Sequence, residues 1–287
     1  MWWVLGIVGS FCVAWGVFSV RRVLSPEGAP RAWPLPAPAP EYAIHHLTAT
    51  DGASFAVYRL APERPRARLL LCHGYSADHT QLLDLAQRLR ARGYESLLFD
   101  MRGHGDRPGP CTVGIKETED ALLMLRWARQ HDGPRPLPVG LLGLSMGAAV
   151  ACQIALRNAE VRAVVVDSIY SRLFPVLRRA IARRYHLPAV PFAWITWWML
   201  QGVLGRRLAP RDPVALAPRL HQPLLLIQGG ADQRVPPPLG GDVYARWAGP
   251  KERWFEPAVV HVGMSAVNPD AYGKRVADFF DRTLVPS

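Results

Sequence analysis

The chain has 287 residues, 49% of them hydrophobic, enough for one sizeable domain with a buried core and shorter segments beside it. Its formal net charge of +11, carried by 31 arginines and only 3 lysines, favours anionic partners, yet no zinc-finger spacing, basic repeat or stacking motif supports nucleic acid. Four cysteines in four separate contexts argue against a disulfide framework, with Cys72 and Cys152 expected as buried thiols; no His-Glu-x-x-His or similar spacing supports a metal, and no cofactor is expected.

The first unit is apolar. From Trp2 to Val20 there is no charged residue, and Arg21 and Arg22 close the run. As a helix it would span about 28 Å, near the thickness of a bilayer's hydrocarbon core. A cleaved signal peptide is the competing reading, but a positive leading region and a small-x-small cleavage site are lacking. A transmembrane anchor is therefore expected over residues 1–22, with the arginines placing the following domain on the cytoplasmic side. Residues 23–41 read as a proline-rich tether.

From residue 42 onward, strands and helices alternate. Strands are expected over 43–50 and 54–60, joined by the hairpin signal Asp51-Gly52, then over 69–72 before a helix at 78–92 that Gly93 stops. A strand at 96–100 precedes a helix at 116–130, and a strand at 139–142 feeds a helix after Ser145. Strands at 161–166, 224–228 and 253–256 and a helix at 269–283 complete the series. Such alternation predicts a mainly parallel sheet between helical layers, with active groups at the strands' carboxyl ends. Residues 170–220 interrupt it without a strand. Their arginines, Arg172, Arg178, Arg179, Arg183, Arg184, Arg206 and Arg207, surround Phe192, Trp194, Trp197, Trp198 and Met199, as expected of a helical lid that packs aromatics inward and turns arginines to water or to anionic lipid.

The chemistry centres on Gly143-Leu144-Ser145-Met146-Gly147, a Gly-x-Ser-x-Gly segment between an apolar strand and a helix. A serine hydroxyl needs a sharp turn to present it and a base beside it, and the glycines leave room for that turn. His73-Gly74-Tyr75 follows one strand, and Asp100-Met101-Arg102-Gly103-His104-Gly105 follows another. On these motifs the chain resembles the α/β-hydrolase superfamily over roughly residues 42–284, and within it the membrane-anchored serine hydrolases of the Bem46-like and serine aminopeptidase-like type. The resemblance implies an eight-stranded α/β-hydrolase domain over 42–287 with its lid inserted at about 170–220.

It also implies roles. Ser145 would be the nucleophile and His261, 29 residues beyond Asp232 and after the last strand, the base. Asp232, in Gly229-Gly230-Ala231-Asp232-Gln233-Arg234-Val235-Pro236, would be the acid, with Asp167 its rival. The backbone N–H groups of Tyr75 and Met146 would form the oxyanion hole. His73, His104 and Asp100 would shape turns. The glycine common before the family's histidine is Val260 here. The implied activity is hydrolysis of carboxylic esters, thioesters or amides through an acyl-enzyme, on a small-molecule or lipid-like acyl substrate. An aminopeptidase-type peptide hydrolase and a non-catalytic membrane-tethered binding module remain as alternatives.

Overall fold

The structure, a computed structural model, describes residues 2–26 and 41–285. Most of the expected tether, residues 27–40, lies outside them. Eight strands form one sheet: β1 (Ala43–Thr48), β2 (Ser54–Leu60), β3 (Ala67–Cys72), β4 (Tyr94–Phe99), β5 (Val139–Leu144), β6 (Val161–Asp167), β7 (Leu224–Gly229) and β8 (Lys251–Glu256). Their order is β1-β2-β4-β3-β5-β6-β7-β8. β1 and β2 pair antiparallel, as do β2 and β4; the rest are parallel. Helices α1 (Trp2–Leu24), α2 (Leu83–Ala91), α3 (Ile115–Gln130), α4 (Met146–Arg157), α5 (Leu173–Tyr185), α6 (Ala189–Leu204), α7 (Pro213–Leu216), α8 (Pro237–Arg246), α9 (Met264–Val267) and α10 (Pro269–Leu284) surround it.

The central strands are buried on both faces, which is why they read as continuous apolar runs rather than alternating ones. Period-two geometry still sorts their side chains. Leu70, Leu141, Val164 and Leu226 join α3 and α4 in one core, whereas Leu69, Leu142, Val165 and Leu225 join α2 and α10 in the other. Parallel strands then deliver the loops after β3, β5, β6 and β7, together with the loop after β8, to one end of the sheet.

Three expectations are corrected. The helix expected over 78–92 begins as a 3-10 turn, His79–Leu82, because the Asp78 carboxylate accepts the Thr80 N–H at 2.8 Å and starts a tight turn. α8 was not anticipated: two prolines open it and Gly240-Gly241 lie inside, so its propensity is poor. Gly240 is needed there, since a Cβ would come within 2.6 Å of the Ile169 carbonyl oxygen.

The third concerns the expected transmembrane helix. Among the described residues no helix is long and apolar enough to cross a membrane. α1 instead runs on to Leu24, and the face of its second half is taken up by the lid. Trp15 Nε1 donates to Phe192 O at 3.0 Å, Thr196 Oγ1 donates to Ser19 Oγ at 2.8 Å, and Trp15 meets Tyr185 and Phe192 edge-on. Gly16 permits this approach, because a Cβ there would fall 1.9 Å from Met199 Sδ. The segment expected as a lid contains α5 and α6.

Candidate active site

Ser145 stands between β5 and α4 with φ 51° and ψ −109°, a backbone conformation an L-residue rarely holds. Its neighbours explain how it is held. A Cβ on Gly143 would lie 2.3 Å from Gly147 O, and one on Gly147 would lie 2.2 Å from Cys72 O. The turn therefore closes directly against the end of β3, and the two glycines are a steric requirement. The Ser145 N–H is bound by the Asp167 carbonyl at 2.9 Å, which fixes the strained residue to β6. Its side chain is left for other partners.

The loop after β8 brings His261 to it. His261 Nε2 lies 2.9 Å from Ser145 Oγ, and Nδ1 lies 2.6 Å from Asp232 Oδ2. The other carboxylate oxygen of Asp232 accepts the N–H groups of Arg234 and Val235, both at 2.8 Å. Asp232 is thus a buried carboxylate with both oxygens satisfied, and its demand for a donor sets Nδ1 as the protonated nitrogen of His261. Nε2 is then the acceptor facing the serine hydroxyl. Val260, in place of the family's glycine, is 58% exposed, and its Cγ2 lies close to Gly263, where a Cβ would come within 2.9 Å of it.

Asp167 is close but differently employed. Its carboxylate accepts from Ser168 Oγ at 2.9 Å and Tyr272 Oη at 3.0 Å, and no hydrogen bond joins it to His261 among the described residues. Burial pushes its carboxyl up to about 6, against the lowering effect of those two hydroxyls.

Of the two oxyanion candidates, Met146 follows Ser145 directly and Tyr75 follows Gly74. Met146 opens α4, so its N–H has no acceptor within the helix. Gly74, just before Tyr75, lies beside the serine: a Cβ built on it would sit 3.8 Å from Ser145 Cβ. His73 supports this loop. Its Nδ1 donates to Gly74 O at 2.7 Å while Nε2 accepts the Met101 N–H at 2.9 Å, which joins the loops after β3 and β4. Burial holds His73 below its ordinary pKa and takes His104 down to about 4, so both stay neutral near pH 7. Asp100 accepts from the His79 N–H at 2.8 Å and pairs with the His79 ring. These residues shape loops.

Two contacts had no sequence signal. From the lid, Arg179 Nε and Arg183 Nη1 donate to Gln233 O at 2.7 and 3.1 Å, clamping the residue after Asp232. These two arginines are exposed yet engaged, rather than simply turned to water. The second is the end of α1, which reaches the loop of Tyr75. All four cysteines are free thiols, with Cys72, Cys111 and Cys152 buried.

The sheet order, the strained serine turn and the Ser145–His261–Asp232 hydrogen bonds define an α/β-hydrolase, and the chain belongs to that superfamily. Within it, residues 63–177 match the family model described as serine aminopeptidase, S33. An uncharacterized protein of Mycobacterium tuberculosis is 31% identical over 195 residues, covering 67% of this chain and 62% of that protein. The chain thus spans a little under two thirds of that relative's length. The lysophosphatidylserine lipase ABHD12 of Danio rerio is 27% identical over 194 residues, 61% of this chain and 46% of the lipase. Among solved structures, the Pyrococcus furiosus esterase Pf2001 superposes with a TM-score of 0.69 at 25% identity, over 85% of this chain and 93% of the esterase.

Proposed function

We propose that the protein is a serine hydrolase that cleaves carboxylic esters, thioesters or amides of apolar acyl groups through an acyl-enzyme on Ser145. The observation that carries this reading is the unbroken chain from Asp232 through His261 to Ser145 Oγ. His261 Nε2 takes the serine proton as Oγ attacks the carbonyl carbon and later gives it to the leaving group. Asp232 holds the imidazole in the required tautomer and stabilises the charge it gains. The N–H groups of Met146 and Tyr75 receive the oxyanion. Water, activated by the same histidine, then releases the acid.

Charge distribution favours acyl esters over peptides with a free α-amine. Residues 2–26 and 168–211, which make up α1 and the lid, contain ten arginines and no aspartate or glutamate. An ammonium group approaching these segments meets an excess of positive charge, offset only in part by Asp212 beside Leu173 and Asp242 beside Arg172, and an anionic or apolar group does not. The aminopeptidase reading loses support on this ground.

The same segments support association with a membrane surface. Trp3, Ile7, Phe11, Val13 and Phe18 of α1, with Trp194, Trp198 and Val203 of the lid, form exposed apolar surface bordered by exposed arginines. A helix apolar on its solvent side, beside cationic side chains, suits the boundary between headgroups and acyl chains of an anionic bilayer.

Fluorophosphonate labelling of the native protein tests the chemistry: covalent modification of Ser145 supports it, and an inert Ser145 favours the binding module. Turnover of p-nitrophenyl esters against aminoacyl anilides separates the substrate classes. Flotation with anionic against neutral vesicles tests the membrane surface, with binding expected to anionic vesicles and to weaken as salt rises.

A further inference from the structure

The C-terminal end of α1 is satisfied in an unusual way. The last carbonyls of a helix have no partner inside it and ordinarily turn to water or to a capping residue. Here each has an assigned donor. Arg21 O accepts the Ser25 N–H at 2.8 Å. Arg22 O and Val23 O share the single proton of the Tyr75 hydroxyl, at 3.0 and 3.1 Å, and Leu24 O receives the Cys111 N–H at 2.7 Å.

Both donors belong to the surroundings of the oxyanion hole. Tyr75 is itself one of the two residues whose N–H groups would form it. Cys111 touches the other, its Sγ lying 3.9 Å from Met146 Sδ. The residues just beyond the helix press on the same region: a Cβ on Gly103 would come within 3.3 Å of Pro26 Cδ. The far end of α1 is tied to the lid through Trp15, Gly16 and Ser19, as described above. One helix therefore joins the lid to both sides of the nucleophile.

We infer that the end of α1 is a brace for the oxyanion hole and that Tyr75 is a positioning residue whose phenol fixes the aim of its own N–H. The inference rests on the serine hydrolase reading above. Its physical basis is the steep dependence of oxyanion stabilisation on donor geometry, since a donor displaced from the oxyanion's position loses much of its transition-state stabilisation while substrate binding changes little. His73 and Gln81 hold the backbone at Gly74, and the phenol extends that hold to the next residue: Ser76 sits at φ 60°, and the Tyr75 ring meets His104 edge-on. The consequence is that α1 is part of the catalytic apparatus as well as a surface segment. Its docking on the lid sets the turnover rate.

The test uses the full chain and a short p-nitrophenyl ester. Tyr75→Phe keeps the ring and removes only the hydroxyl. It is expected to lower kcat about tenfold or more, part of the effect of losing a whole donor, with KM within about twofold and the melting temperature nearly unchanged. Affinity for an aryl or alkyl boronate, which forms a tetrahedral adduct in the hole, should fall in parallel with kcat/KM; a merely structural role would leave that ratio alone. Gly16→Leu, whose side chain must displace Met199 and Ile195 between α1 and α6, should lower kcat in the same way, and the double variant little more, because both act through one brace. Tyr75→Phe with kcat within about twofold of the parent overturns the inference, whatever Gly16→Leu does. A parent protein inert to both esters and fluorophosphonate would instead overturn the hydrolase reading.

Discussion

The Ser168 hydroxyl accepts the Val262 backbone N–H at 2.9 Å and so ties the end of β6 to the loop that carries His261. Both residues have positive φ, 55° and 53°, and the same hydroxyl donates to Asp167. Two strained loop residues are thus held together by one side chain, one position away from the histidine. Ser168→Ala should lower kcat about tenfold through a less ordered His261, with the melting temperature reduced by several degrees, as expected for two buried hydrogen bonds of about 1 kcal/mol each. Steady-state kinetics beside a thermal melt decide it; unchanged kcat would mean that the Asp232 contact alone orders the ring.

Removal of the nucleophile is the sharpest expectation. Ser145→Ala should leave the fold intact and reduce kcat on the order of 10⁴-fold or more. A variant retaining a tenth of parental turnover contradicts the assignment, and so does fluorophosphonate labelling that survives the substitution.

The two carboxylates should part company. Asp232→Asn replaces the acceptor of His261 Nδ1 by an amide that can present a donor, permits the wrong tautomer and should cut kcat severely. Asp167→Asn should act on stability instead, and with a pH signature. A buried carboxyl at about 6 holds a proton in the folded state that the unfolded chain releases from about 3.9 upward. Its contribution to stability is therefore fully present below about 3.9 and lost as pH rises through 6. Relative to the parent, Asp167→Asn should gain on the order of 3 kcal/mol between pH 4 and 7.5, about two pKa units at 1.4 kcal/mol each. Melting temperatures of both proteins across that range check it, and a constant difference would refute it.

The elbow itself can be tested without touching a reactive group. Gly147→Ala places a Cβ where Cys72 O and His73 O already are, at 2.2 and 2.5 Å, and both are backbone atoms that cannot rotate aside. The variant should lose roughly 3 kcal/mol of stability or more and nearly all activity. Gly202→Ala, with open space around it in α6, serves as the neutral control.

Much of this architecture was legible in the chain. The apolar runs at Leu69-Leu70-Leu71 and Val164-Val165-Val166 are what doubly covered parallel strands require, so the alternation of strands and helices follows from local pattern. The Gly-x-Ser-x-Gly turn was legible too, because steric exclusion acts within five consecutive residues. Element ends were less so. Asp78 redirects the start of α2 through its side chain, and α8 forms against its own prolines and glycines because tertiary packing outweighs propensity.

What the sequence by itself determined is the set of parts: an apolar first segment, a basic aromatic lid, a serine on a turn, and Asp232 and His261 at the ends of later strands. The tertiary structure alone decided how they are joined. The nineteen uncharged residues could satisfy a bilayer or another helix equally well, since apolar surface is non-directional, and only the fit of Gly16, Ser19 and Trp15 to the lid selects the second for one face of α1. For the acid, the sequence favoured Asp232 over its rival Asp167 through the resemblance of its loop, and the tertiary structure adds the contact. Both carboxylates follow strands at the same end of the sheet, and what separates them is a hydrogen bond of 2.6 Å between residues that meet only when β7 and β8 pair.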